Sequence, residues 1–151
     1  MNIKIVAQNK KAFFLYHIEE SIEAGLVLLG SEVKSLRDGR GSLSDSYAMI
    51  KDGEAFLLNS HIAHCPQASY MNHDPKRARK LLLHEQQLRR LTGKLKEKGF
   101  TLIPLKLYFK GGRAKVELGL ARGKKHFDKR EAIKKRETKR ELARSLRIKR
   151  R

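Results

Sequence analysis

Two dipeptides constrain the fold of this chain more than any other feature. Asp52-Gly53 stands between the apolar stretches Tyr47 to Ile50 and Ala55 to Leu58, and Asp-Gly suits a two-residue hairpin turn because both positions tolerate positive φ. Gly111-Gly112 separates Phe100 to Phe109 from Arg113 to Ala121, where Ala114, Val116, Leu118 and Leu120 alternate with Lys115 and Glu117, the period-two pattern of a half-buried strand. Connections this short join only antiparallel neighbours. Phe13 to Ile18 and Gly25 to Leu29 add two more candidate strands, for about six in all. Pro104 falls inside a strand pattern and marks an edge or a bulge, because proline has no N–H for the ladder.

Two segments read as helices. Ser31 to Arg37 has Ser31 as candidate N-cap and Gly39 as the stop. From His84 to Lys98, Leu88, Leu91 and Leu95 recur at helical spacing, and Gly99 follows at the C′ position. A small antiparallel sheet leaves unpaired edges unless it closes on itself. The expected fold is therefore mainly β (α+β): a small closed antiparallel six-stranded barrel of the oligonucleotide-binding type, with two to three short helices.

Charge decides the rest of the organisation. The 151 residues carry 35 Lys and Arg against 16 Asp and Glu, a net +19. Residues 122–151 alone hold 15 cations and four acids, a net +11, so a fifth of the chain has more than half of its net charge. This divides the chain into a body, 1–123, and a basic tail, 124–151. Beyond Lys124 there is neither Gly nor Pro and helix formers dominate, but Ile133, Leu142 and Leu146 make too thin a stripe to dock. The tail is expected to be disordered alone and helical only when bound to a polyanion. Nucleic acid is the partner such a surface favours. A membrane surface is disfavoured, because membrane-binding helices need a continuous apolar face. Met1 to Lys11 has no apolar run of signal-peptide length and no segment approaches a membrane span, so a cytoplasmic protein is expected. Cys65, the one cysteine, has no disulfide partner within the chain.

Catalytic chemistry is poorly represented. His61, His64, Cys65 and His73 contain no second paired motif to complete a tetrahedral metal set. Gly39-Arg40-Gly41-Ser42 lacks the Lys and Ser or Thr of a phosphate loop. Asp38, Asp45, Asp52 and Asp74 are scattered at turns. No catalytic residue, metal or cofactor is expected. Lys76-Arg77-Ala78-Arg79-Lys80 instead ties four cations to the anchor Leu81-Leu82-Leu83, which suits phosphate contact from a rigid base. Asn72-His73-Asp74-Pro75 just before it offers groups for base edges, 2′-hydroxyls or loop bracing.

Several strings together resemble the SsrA-binding protein family in order and spacing: Gly30 to Arg37, Asp45-Ser46-Tyr47-Ala48, Asn72 to Pro75, Arg79 to His84, Pro104 to Tyr108, and Gly123-Lys124-Lys125 through Asp128-Lys129-Arg130. The resemblance runs from about Asn9 to the C-terminus. It implies a barrel that grips the tRNA-like domain of tmRNA, with Asn9, Lys10, Lys11, Glu32, Lys34, Ser35, Arg37, Asn72, His73, Arg77, Arg79, Lys80, Lys124 and Lys125 as the RNA-binding set. It implies a tail that enters the empty mRNA channel of a stalled ribosome and meets small-subunit rRNA at the decoding centre, through Phe127, Asp128, Lys129, Arg130, Lys134, Lys135 and Arg136. Alanyl-tmRNA, elongation factor Tu and GTP are the implied companions, in ribosome rescue by trans-translation with no catalytic site. Phe127 stands where Tyr or His is expected in relatives, so stacking survives there but a hydrogen bond from the ring does not. Glu32 is an acid among cations, with two readings: it accepts hydrogen bonds from RNA or orients a neighbouring cation, beside the plain role of an acid at a helix start. A permanent ribosomal protein and a nuclease acting on structured RNA are the rival readings.

Overall fold

Asp52 and Gly53 take φ of 53° and 76°, the two positive values that a type I′ turn requires. That turn joins β4 (Tyr47–Lys51) to β5 (Glu54–Leu58) in the register Lys51↔Glu54. Gly111 and Gly112, at 58° and 79°, do the same between β8 (Phe100–Lys110) and β9 (Arg113–Gly123). The computed structural model of the chain describes residues 2–97, 99–123 and 134–144. The remaining elements of the body are β1 (Ile3–Gln8), α1 (Lys10–Leu15), β2 (Tyr16–Leu26), α2 (Gly30–Arg37), β3 (Gly41–Ser42), β6 (His61–Ile62), a 3-10 turn (Pro66–Met71), β7 (Arg79–Leu82) and α3 (Glu85–Leu95).

The strands close into the expected six-stranded antiparallel ring, in the order β8, β4, β5, β7, β2, β9 and back to β8. Closure between β8 and β4 rests on the pair Ala48↔Leu102. The same edge of β8 is covered further along by β1, from Gln8↔Lys106 to Ile3↔Lys110. Inward residues of the ring, with Leu36 of α2 and Leu91 of α3, form the main core; Leu36, Leu57, Leu91, Val116 and Leu118 are fully enclosed. Each such side chain contributes about 1.5–3 kcal/mol by leaving water. Leu88 and Leu95 flank Leu91 against that core, so the stripe read from the sequence is the docking face of α3. A smaller cluster, Ala12, Ile103, Leu105 and Ala121, seats α1.

Pro104 marks a bulge, as its missing N–H predicts: the β8–β9 register shifts between Pro104 and Lys106. On the other edge Asn9 satisfies the local carbonyls. Its backbone N–H donates to Leu105 O at 2.8 Å and its Nδ2 to Pro104 O at 3.0 Å.

Four expectations need correction. Phe13 to Leu15 belong to α1 rather than to a strand, and the two strands expected at Phe13 to Ile18 and Gly25 to Leu29 are replaced by the single strand β2. Gly25 continues that strand because β7 lies close: a Cβ there would stand 3.2 Å from Leu82 Cβ. The N-cap of α2 is Leu29, not Ser31; Glu32 reaches back to accept the Leu29 N–H at 2.8 Å, while the Ser31 hydroxyl pairs with His73 Nδ1 at 2.8 Å. β1 and the two-residue pair β3–β6 were absent from the expectation. α3 ends at Leu95 with Lys96 as its C-cap, short of the expected end at Lys98, so Gly99 is not its C′ residue. In the tail, residues 134–144 are helical and every one is exposed, in keeping with their high intrinsic propensity.

Candidate nucleic-acid interface

Glu32 occupies the first turn of α2 and is completely buried, as is Arg79 at the start of β7. Arg79 Nε donates to Glu32 Oε2 at 2.5 Å and Arg77 Nη2 to Glu32 Oε1 at 2.6 Å. Arg79 uses its other donors on Ser60 O (2.8 Å), Ser60 Oγ (3.0 Å) and Pro75 O (3.1 Å). One guanidinium thus ties α2, the end of β5 and the segment entering β7. Burial would push the Glu32 carboxyl up, but hydrogen bonds from Arg77, the Leu29 N–H and Arg79 outweigh it and hold the carboxyl below its ordinary value. Burial pulls the Arg79 guanidinium down, and Glu32 opposes that shift. Of the two functional readings of Glu32, its geometry is that of an acid orienting cations.

The segment between β6 and β7 is braced by polar side chains. Asn72 accepts the Cys65 N–H and donates to the Cys65 carbonyl, both at 2.8 Å, closing residues 65–72 into a loop. His73, 3 % exposed, bonds Ile62 O through Nε2 at 2.9 Å as well as Ser31. Ser35, 1 % exposed, donates to Ala63 O at 2.7 Å. So Glu32, Ser35, His73 and Arg79 are gathered around one structural knot, with no free face in this conformation. Among the described residues no three of His, Cys, Asp and Glu gather as a metal set, and no helix there is long and apolar enough to cross a membrane.

Among the described residues, the cations of the RNA-binding set that are exposed are Lys10, Lys11, Lys34, Arg37 and Lys80. Arg77 keeps a third of its side chain exposed while pairing with Glu32, and Lys80 meets Glu54 at 3.3 Å. Lys134, Lys135 and Arg136 are exposed on the helix over 134–144. Lys124, Lys125, Phe127, Asp128, Lys129 and Arg130 lie outside the described residues.

One surface was not anticipated. Val27, Leu29 and Leu82 are 44 %, 48 % and 54 % exposed, and two shallow clefts beside them share Gly25, Leu82 and Lys115. Arg113 lines one cleft, Glu23 and His84 the other. Glu23 accepts hydrogen bonds from the Tyr108 hydroxyl and from Lys110 Nζ at 3.5 Å. The Tyr108 bond is the main reason its carboxyl stays below the ordinary value against partial burial, with Lys110 adding to it. Apolar side chains bordered by cations suit a nucleic-acid surface, where they meet sugars and bases while the cations meet phosphates. The signal was present in β alternation: Leu81 is 2 % exposed, so Leu82 must face out.

Comparison with known proteins agrees with this picture. Residues 6–148 match the family model described as SmpB protein. A protein of Acidothermus cellulolyticus named SsrA-binding protein is 57 % identical over 143 residues, covering 95 % of this chain and 90 % of its own. Its namesake in Geobacter sulfurreducens is 55 % identical over 149 residues, covering 99 % and 97 %. A solved structure described as "tmRNA-SmpB: a journey to the center of the bacterial ribosome" superposes with a TM-score of 0.67 at 52 % identity, over 83 % of this chain and 92 % of that one. With the fold, the family model and the relatives in agreement over nearly the whole length, this chain belongs to the SmpB family of RNA-binding proteins.

Proposed function

We propose that this chain is a tmRNA-binding protein of trans-translation: its body binds the tRNA-like domain of tmRNA and brings it to stalled ribosomes. The observation that carries this reading is the identity of 55–57 % over nearly full length with proteins named for binding SsrA. The surface chemistry supports it, since the exposed cations and the Val27, Leu29 and Leu82 patch suit a folded RNA. The buried knot of Glu32, Arg79, His73 and Ser35 acts as a positioning device: it sets where Arg77, Lys34, Arg37 and the loop closed by Asn72 stand, and the exposed members touch RNA.

The tail supplies the second half of the function. Its cations pair with small-subunit rRNA in the mRNA channel only when mRNA is absent, so occupancy of the channel decides whether rescue begins. Phe127, Asp128, Lys129 and Arg130 set the tail's course at the decoding centre, followed by Lys134, Lys135 and Arg136. Alanyl-tmRNA, elongation factor Tu and GTP arrive with the protein, in the cytoplasm. Incubating the purified protein with labelled tmRNA and magnesium tests the reading: retention of intact RNA is expected. Cleavage would instead favour a nuclease, and stoichiometric presence on actively translating ribosomes a permanent ribosomal protein.

A further inference from the structure

An open cleft of about 570 Å³ lies where β2, β4 and β8 begin, within the size range of small-ligand sites. It is remote from the Leu82 surface: Tyr16 lines this cleft, and Gly25, which lines the other, is nine residues further along β2, about 30 Å of extended strand. Six residues give the cleft its chemistry. Tyr47 is 43 % exposed and Tyr16 is half-buried, so aromatic surface is available for stacking. Lys10 and Lys11 are exposed and enter no ion pair among the described residues. Asn9 spends its Nδ2 on Pro104 O, which leaves Oδ1 as an acceptor.

Asp45 is the distinctive member. It holds φ of 59° in the left-handed region, and its carboxylate has no hydrogen bond or ion pair among the described residues. An ionised carboxylate only accepts, so a ligand that satisfies it must bring donors, ideally two side by side. Among the RNA bases, guanine alone presents two adjacent N–H donors, N1–H and N2–H, on its Watson–Crick edge. Adenine sets one donor beside an acceptor, and uracil has a single N–H between two acceptors. Stacking makes the site tolerant of any base; the carboxylate makes it selective.

We infer that this cleft captures one extrahelical guanosine of an RNA, with the base stacked on Tyr47, its N1–H and N2–H donated to Asp45, and flanking phosphates on Lys10 and Lys11. The inference rests on the RNA-binding reading, which already counts Asn9, Lys10 and Lys11 in its RNA-binding set, and deepens it with a base-selective contact at the end of the barrel away from Leu82. An RNA held by the Leu82 surface leaves this cleft open for a guanosine of the same molecule or of another RNA.

The test uses the full-length protein and three pentaribonucleotides, UUGUU, UUAUU and UUUUU, with affinities measured at roughly 0.15 M salt to screen diffuse attraction to the tail. UUGUU is expected to bind at least about fivefold more tightly than UUAUU, the low end for a good bidentate base contact, and to shift the amide resonances of Asp45 and Tyr47. Asp45→Asn keeps the fold, because Asn tolerates the left-handed region, and should bring UUGUU down to the UUAUU level. Equal affinities in the parent protein, or a guanosine preference that survives Asp45→Asn, would overturn the inference. The tRNA-like domain of tmRNA is titrated alongside. If it binds while the pentamers are indistinguishable, the guanosine site is wrong and the RNA-binding reading stands; if neither binds, both fall.

Discussion

Glu32→Ala removes the carboxylate that Arg79 Nε meets at 2.5 Å and leaves a guanidinium with no exposed side-chain surface lacking its counter-charge. Water cannot reach the site without opening the knot, and the Ser60 and Pro75 carbonyls that remain are neutral acceptors. Breaking a buried ion pair from one side costs about 3–5 kcal/mol, a large part of the roughly 5–15 kcal/mol that holds a domain together. For a body of this size each kcal/mol moves the midpoint by about 3–5 °C, so Glu32→Ala should melt about 10–20 °C below the parent in a circular-dichroism scan. The double variant Glu32→Leu/Arg79→Met removes both charges and should recover most of the loss, since apolar replacement of a whole buried pair is often neutral. Acidity gives an independent check. The Glu32 carboxyl is held below its ordinary value of 4.5, so the stability it contributes is full above about pH 4.5 and is lost as the pH falls through its lower folded-state value. Glu32→Gln should lack that component of acid unfolding. A Glu32→Ala midpoint within 2 °C of the parent, on the order of the shift from less than 1 kcal/mol, would refute the knot as a source of stability.

Gly41→Ala should also destabilise, by about 1–3 kcal/mol in urea unfolding, because its Cβ would stand 2.5 Å from Leu36 Cδ2 with Leu107 and Val6 close behind; an unchanged urea midpoint would show that Leu36 can move. Truncation after Phe127, or Ala at Asp128, Lys129 and Arg130 together, should leave tmRNA binding nearly intact and abolish tagging on ribosomes stalled without downstream mRNA. A reconstituted translation assay reads this directly, and normal tagging would remove the tail mechanism.

What was legible in the sequence was local. The turns at Asp52-Gly53 and Gly111-Gly112, the stop at Gly39 and the leucine stripe of α3 each depend on a few adjacent residues, and each stands where it was expected. β1 was missed because the alternating Ile3 and Ile5 are largely exposed at 57 % and 46 % while the adjacent Val6 and Ala7 are the ones that pack on the core, so the strand owes its place mainly to its pairing with β8. Phe13 and Phe14 have strand propensity, but Ala12 seats the segment as one and a half turns of helix on Ile103 and Leu105. The site shows the same limit. Arg77, Arg79 and Lys80 look alike in a basic run, yet their side-chain exposures are 33 %, 0 % and 45 %. Glu32, more than forty residues away in sequence, makes that difference, and no local pattern announces it.

The central claim is that the body recognises a folded RNA rather than negative charge alone. Titrating the full chain against the tRNA-like domain of tmRNA and against an unstructured RNA of equal length, over a range of salt, tests it most directly. Each phosphate contact contributes about 0.7–0.9 to the slope of log affinity against log salt. Affinity for the tRNA-like domain should stay well above that for the unstructured RNA as salt rises and the diffuse attraction of the tail is screened. Equal affinities at every salt concentration would contradict the account.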